Sequence, residues 1–285
     1  MRPRTPSRTR FSPDPEKRFC CRVRSRKVAK AVEQPYPILE FDPTPQAILE
    51  PGKLIARIDV PERGVLCFFN EVITAICGDG KTRLLRNLRS EIGPNPLYEI
   101  TIDGQRLAVC HPGVGAPLAA GFLEELIALG VSKFIACGGA GVLRRDLVVG
   151  HLVVPVSAVR DEGTSYHYLP PGREVSPSPA AVAAIEAALN AAGADYTKGK
   201  TWTTDAIYRE TPDKVARRRA EGCLTVEMEA AAFFAVARFR GVEFGQILYG
   251  GDDVSGAEWD SRRWNNRATI REKLFWLAVE AALRL

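Results

Sequence analysis

Glu227, Met228 and Glu229 lie in the run Thr225-Val226-Glu227-Met228-Glu229-Ala230-Ala231-Ala232, and Asp252 lies in Tyr249-Gly250-Gly251-Asp252-Asp253. Two carboxylates and a thioether therefore stand at the mouth of an apolar segment, and another acid follows a pair of glycines. A carboxylate near a helix N-terminus sits in a favourable field and can stay ionised while accepting hydroxyl hydrogen bonds. An acid past a strand end, in a Gly-rich turn, approaches a ligand without side-chain obstruction. Vicinal hydroxyls on the first acid and a leaving group on the second amount to ribosyl chemistry. There, positive charge builds on the sugar and negative charge on the departing base, and pre-aimed charges in a water-poor pocket stabilise both. Glu229 is assigned to the sugar hydroxyls, with Met228 packing beneath the ring. Glu227 shares the ligand side if the helix entrance is extended, and points elsewhere if it is helical. Asp252 is assigned as general acid toward the base, its proton favoured by desolvation and by neighbouring Asp253, unless Asp253 simply caps the turn.

These acids must be positioned by a helix and a strand. Residues Ala230 to Arg240 are strong helix formers, and Gly241 supplies a stop. Phe244 to Tyr249 reads as a short strand. A helix of that length covers roughly 16 Å and the strand returns roughly 20 Å, so the helix start and the strand end meet at one sheet edge.

The Val-Glu-Met-Glu-Ala-Ala-Ala run resembles the signature of the nucleoside phosphorylase family, which includes purine nucleoside and uridine phosphorylases and the methylthioadenosine nucleosidases. The spacing to Asp252 is similar to that of the family's purine-protonating Asp. The resemblance implies phosphorolysis of a purine-leaning nucleoside to free base and ribose 1-phosphate. Inorganic phosphate would be the co-substrate, with no cofactor and a homo-oligomeric assembly. Hydrolysis by water is the alternative, and a nucleoside-binding protein without turnover is a further one.

Other segments are similar to family elements. His111-Pro112-Gly113-Val114-Gly115-Ala116-Pro117 leads into a helix carrying Leu118, Phe122, Leu126 and Leu129; Gly113 and Gly115 are either a tight turn or backbone donors near ribose and phosphate. Val131 to Cys137 reads as a buried strand ending in a Gly138-Gly139-Ala140-Gly141 turn, where Gly138 and Gly139 let backbone approach the nucleophile. The uridine phosphorylase branch has a phosphate-binding arginine where this chain has Ala136, and Gly-Asp-Pro where it has Phe69-Asn70-Glu71. In the nucleosidase branch a Glu near Glu71 activates water. Arg144 and Arg145 are either a replacement phosphate clamp or solvated. Gly163-Thr164-Ser165-Tyr166-His167 resembles a loop at the sugar 5′ end, with His167 its ligand-facing residue. Thr204 and Tyr208 lie in a base-facing segment, although Thr203-Thr204-Asp205 also reads as a helix cap. Uracil-reading Gln and Arg are replaced by Arg209-Glu210-Thr211-Pro212.

Gly64 to Phe69 reads as a buried first strand, followed by a helix through Leu84 to Leu88. Leu97–Ile102 and Arg106–Cys110 flank Asp103-Gly104, a hairpin signal. His151 to Val156 reads as a strand, Pro179 to Gly193 as a helix, and a C-terminal helix carries Ile270, Leu274, Leu277, Ala278 and Ala281. Gln34 to Pro51 is Pro-rich and wraps over the body or a neighbouring subunit. Alternating strands and helices with one hairpin give an α/β class, and the family implies a three-layer sandwich around a mixed, partly barrel-like central sheet.

At 285 residues with 46% hydrophobic content, the chain can bury a substantial core. No apolar run approaches the ~20 residues of a membrane span. Three dispersed His give no metal-ligand spacing, and seven Cys without a CxxC pair read as reduced thiols of a cytoplasmic protein. Residues 1–33 carry a net +8, which leaves −3 of the total +5 for residues 34–285. The catalytic body is thus mildly acidic, and the basic, Pro-broken segment 1–33 reads as a disordered tail, with a transit peptide or nucleic-acid arm as the other readings.

Overall fold

A computed structural model describes residues 33–78 and 80–285. The basic tail expected at 1–33 lies outside the described residues except for Glu33. In chain order the elements are α1 (Pro51–Leu54), β1 (Arg63–Cys67), α2 (Asn70–Cys77), β2 (Arg83–Ser90), β3 (Gly93–Ile102), β4 (Gln105–Cys110), α3 (Ala116–Leu129), β5 (Lys133–Val142) and β6 (Leu152–Asp161). They continue with β7 (Glu174–Val175), α4 (Pro179–Ala191), β8 (Tyr196–Thr204), α5 (Pro212–Ala220), β9 (Cys223–Glu227), α6 (Ala230–Arg240), β10 (Glu243–Asp253) and α7 (Ala268–Arg284). Short 3-10 turns occupy Pro37–Leu39, Thr164–His167 and Ile207–Arg209.

The strand order is β10-β6-β8-β9-β5-β1-β4-β3-β2, with β7 beside β6. Because β10 also pairs with β5, the strands β5, β10, β6, β8 and β9 close on themselves, and β1 to β4 extend from the closed part. Parallel and antiparallel pairs are mixed: β6 and β8 run parallel, whereas β5 and β9 run antiparallel. This is the three-layer, partly barrel-like α/β arrangement that the family resemblance implies.

Alternation along the strands sends side chains to two cores. Leu66, Phe134 and Ala136 pack with Phe233, Phe234 and Phe244 against α3 and α6, the Phe233 and Phe244 rings stacking at 4.8 Å. Val65, Cys67, Ile135 and Ile247 face the other way, onto Ile185 of α4 and Leu274 and Ala278 of α7. The Pro-rich start lies on the body, where Arg240 pairs with Glu50 at 2.8 Å and Glu124 at 2.7 Å. No described helix is long and apolar enough to cross a membrane.

Three expected elements differ. Leu84 to Leu88 lies in strand β2, not a helix: it pairs antiparallel with β3, buries Leu88 and leaves its arginines outward. The leucine spacing suits a helix, but pairing with the neighbouring hairpin overrides it. The helix after β1 is instead α2, at Asn70–Cys77. The expected Gly138-Gly139-Ala140-Gly141 turn is continuous strand, since β5 runs to Val142 with β10 and β9 alongside. Likewise β10 continues through Asp252, so that acid is in a strand with a register shift between Gly250 and Asp253, rather than in a turn beyond it.

Candidate active site

Glu229 is the residue that caps α6, with non-helical φ −137° and ψ −27°, and it is 5% exposed. Its Oε1 accepts the Gly115 N–H at 2.5 Å. Gly115 is itself the residue before α3 and has φ +86°, a conformation that glycine adopts without a Cβ penalty. The loop 113–117 therefore aims a backbone donor at the carboxyl of another helix start. Gly113 tightens the same loop, with φ +81° and a Cβ direction blocked at 2.7 Å by Leu118.

Glu227 does different work. Its Oε2 accepts the N–H groups of Glu229 at 2.7 Å and Ala230 at 2.6 Å, and its Oε1 accepts the Thr203 hydroxyl at 2.6 Å. Thr203 Oγ1 also accepts the Ala231 N–H at 3.0 Å. Glu227 and Thr203 together satisfy the orphan donors of the α6 entrance, which fixes where Glu229 begins. Burial pushes the Glu227 carboxyl up to about 7, against the lowering effect of these donors. Burial and then the charge of Glu227 push Glu229 up to about 8. Met228 is half-buried between these two buried acids, so its thioether is the more open of the three side chains.

At the other end, Asp252 lies on the edge formed by Gly141 and Val226. A Cβ built on Gly141 would meet Val226 Cγ1 at 3.0 Å and Asp252 Oδ1 at 3.5 Å. A glycine there leaves the strand surface open between the acid and the valine. The Trp259 indole N–H donates to Asp252 Oδ2 at 2.7 Å. Asp253 does not assist Asp252 as expected: Arg262 bonds its Oδ2 at 2.6 Å and the Ser255 N–H its Oδ1 at 2.7 Å. Burial opposes ionisation of Asp253, but these partners hold its carboxyl below its ordinary value.

The remaining candidates divide. Gly138 is covered by the half-buried Phe68, whose ring would stand 3.0 Å from a Cβ there, while Gly139 faces Tyr249. Phe68 also packs edge-on against His111, with centroids 5.8 Å apart, and lies 6.3 Å from Phe233. His111 Nδ1 accepts the Gly113 N–H at 3.0 Å, and burial lowers its pKa, so the ring is a neutral support for the glycine loop. Glu71, expected near a water nucleophile, is bonded by Arg271 at 2.6 Å. Arg271 is held in turn by the Tyr249 hydroxyl and the Trp264 carbonyl, which commits that carboxylate to anchoring α2 on α7. Arg144 is taken by Asp146. Thr204 is buried, and its hydroxyl accepts the Ala206 N–H at 3.2 Å in a local turn; neither the Ile207–Arg209 turn nor α5 has a side-chain cap, so the segment does not serve as the helix cap also expected. Tyr208 is 95% exposed, so the single chain does not bring it to the acids. His167 is exposed in the Thr164–His167 turn and lines a groove of about 920 Å³ with Tyr168, Pro117, Glu124 and the segment around Leu49.

Sequence reasoning missed Glu210 and Trp259. Glu210 follows the Ile207–Arg209 turn and precedes α5. Burial, then the charge of Asp252, pushes its carboxyl up to about 7. Neither residue sits in a periodic pattern or a spaced motif, and only the folding of two loops onto β10 brings them to Asp252.

Comparison with known proteins decides the family: residues 62–283 match the phosphorylase superfamily. The chain belongs to that superfamily. It is thereby a nucleoside phosphorylase-family enzyme, and the superfamily relatives are named accordingly. It is 35% identical over 159 residues to a guanosine phosphorylase of Halorubrum lacusprofundi, covering 55% of this chain and 66% of that relative. It is 28% identical over 202 residues to a DeoD-type purine nucleoside phosphorylase of Bacillus cytotoxicus, covering 70% and 83%. Among solved structures, a uridine phosphorylase from Vibrio fischeri ES114 superposes with TM-score 0.68 at 24% identity, over 84% of this chain and 100% of the other, a likeness of fold.

Proposed function

We propose that this phosphorylase-superfamily enzyme cleaves the N-glycosidic bond of a purine-leaning nucleoside by phosphorolysis, giving free base and ribose 1-phosphate. The observation that carries the reading is the pair of acids at separate strand and helix ends: Glu229 held by the Gly115 N–H, and Asp252 at the open Gly141–Val226 edge. Met228 directly precedes Glu229, and Val226 abuts the Gly141 edge where Asp252 lies, so the two offer apolar contacts to sugar and base. Glu229 accepts the ribose hydroxyls, and Asp252 donates to the base as the C–N bond breaks. General acid catalysis of this kind contributes about 10²–10⁴ in rate. The names of the guanosine and purine nucleoside phosphorylase relatives support the purine leaning. The enzyme works as a homo-oligomer in the cytoplasm, a reading supported by five buried free thiols and by the exposed Ile48, Leu49, Leu54 and Val114.

One observation favours water as nucleophile in place of phosphate. Phe68 covers Gly138, Ala136 brings no charge, and a phosphate dianion without guanidinium partners is poorly held. The test of both readings is cleavage of guanosine, inosine, adenosine and uridine with and without inorganic phosphate. Phosphate-dependent formation of ribose 1-phosphate from the purines supports phosphorolysis. Release of free ribose at full rate without phosphate replaces it with hydrolysis, and cleavage of no nucleoside removes both.

A further inference from the structure

We propose that Trp259 is the positioning residue of the general acid: its indole N–H holds one oxygen of Asp252, so that the other carries the proton and hands it to the departing base. This rests on the proposed glycosidic cleavage and adds to it the group that aims the acid.

The segment between β10 and α7 folds back onto the strand it leaves. Asp253 and Asp260 exchange backbone hydrogen bonds, at 2.8 Å and 3.0 Å, as an isolated antiparallel bridge. In such a pair the residues flanking the bridge point to the face opposite it, and diagonal neighbours lie within reach of an aromatic side chain. Asp252 and Trp259 are one such diagonal pair, and the indole N–H meets Asp252 Oδ2 at 2.7 Å. The bridge is fixed on both sides. The Val254 N–H bonds the Val142 carbonyl at 3.1 Å, while Arg262 bonds Asp253 Oδ2 at 2.6 Å and the Leu147 carbonyl at 2.7 Å. Further on, the Tyr249 hydroxyl ties the Trp264 carbonyl to β10 at 2.9 Å. Trp259 itself is 62% exposed, so core packing does not place its ring, and the bond to the acid does.

An indole N–H donates and cannot accept. The carbonyl oxygen of a carboxylic acid is its stronger acceptor, so the N–H selects Oδ2 as that oxygen and leaves the proton on Oδ1. A Cβ on Gly141 would stand 3.5 Å from Oδ1, which puts the proton at the open Gly141–Val226 edge. As the C1′–N9 bond breaks, its electron pair stays with the purine, the Oδ1 proton moves to N7, and the nucleophile's oxygen bonds C1′. Asp252 is left a carboxylate, and the neutral hydrogen bond from Trp259 becomes a charge-assisted one, roughly twice as strong. A bond that strengthens along the reaction lowers the barrier, whereas one of constant strength would only improve binding. Asp252 regains its proton from solvent once the base has left.

The experiment compares the full-length enzyme with Trp259→Phe, which keeps a ring and removes the donor. Each is assayed with guanosine and with 4-nitrophenyl riboside, whose phenolate leaves unprotonated. For guanosine, kcat is expected to fall by about 10-fold with KM within about twofold, and for the nitrophenyl riboside kcat changes by less than about threefold. Repeating the substitution in an Asp252→Asn background closes a double-mutant cycle, and there Trp259→Phe costs less than about twofold on guanosine. Equal losses on the two substrates, the same loss with and without the Asp252 carboxyl, or guanosine turnover unchanged or raised in Trp259→Phe would overturn the proposal while leaving glycosidic cleavage standing. An unaltered enzyme that cleaves neither riboside would instead remove the proposed cleavage itself.

Discussion

Burial and the neighbouring charge of Glu227 push the Glu229 carboxyl from its ordinary 4.5 up to about 8. The sign of the consequence follows from linkage. Below pH 4.5 folded and unfolded chains both carry the proton; between there and about 8 the unfolded chain releases it and the folded one does not, so stability falls as pH rises through that window. Glu229→Gln removes the titration. We expect its Tm to match the unaltered protein near pH 4.5 and to exceed it near pH 8, by about 2–4 °C for each kcal/mol recovered. The same substitution replaces a carboxyl oxygen facing the ribose hydroxyls with an amide, so kcat/KM falls by roughly 10- to 100-fold. Thermal melts at the two pH values and steady-state kinetics read both effects; a variant less stable than its parent at pH 8 contradicts the electrostatic account. Asp252→Asn is expected to lower kcat by about 10²–10⁴ for a purine nucleoside while leaving its dissociation constant nearly unchanged. Single-turnover assays and equilibrium binding separate the two, and intact turnover would remove Asp252 from the chemistry.

At the level of elements, the site depends on loops that place backbone donors. Gly113 has φ +81°, and an added Cβ would meet Leu118 at 2.7 Å, whereas Gly104 has φ +77° with nothing within 4 Å. Gly113→Ala therefore combines backbone strain with overpacking, about 2–4 kcal/mol in all, and shifts the Gly115 N–H off Glu229. Gly104→Ala in the distant hairpin carries the strain alone. The first should lose stability and kcat/KM together, the second stability only; an equal kinetic loss in both would contradict a positioning role for the 113–117 loop. Helix α6, its Gly241 stop and the Asp103-Gly104 hairpin were legible in the sequence because local rules decide them. So was the Glu229–Asp252 pair as candidates, through the motif run. Three features were not legible: β2, where pairing with β3 overrides a helical leucine spacing; the continuation of β5 and β10 through their glycines, which needs neighbouring strands to satisfy the backbone; and Glu210, whose partner is contributed by a separate strand.

Across the whole molecule, the closed strands β5, β10, β6, β8 and β9 bring acids from β9–α6 and β10 toward one end of the sheet. The family match begins at residue 62 and leaves the basic segment 1–33 beyond it. Deleting 1–33 is expected to leave kcat/KM for a purine nucleoside unchanged within about twofold, and to abolish any retention on DNA or RNA at low salt. Unchanged nucleic-acid retention would remove the tail as the source of binding. The central claim is that two acids distant in sequence act on opposite ends of one glycoside. It is tested most directly by a crystal structure of the full-length enzyme with an uncleavable purine nucleoside analogue. We predict that the ribose hydroxyls lie about 2.6–3.2 Å from Glu229 and that N7 of the same molecule lies within the same reach of Asp252. A ligand that touches one carboxyl while the other lines a separate cavity or faces bulk solvent would contradict the account.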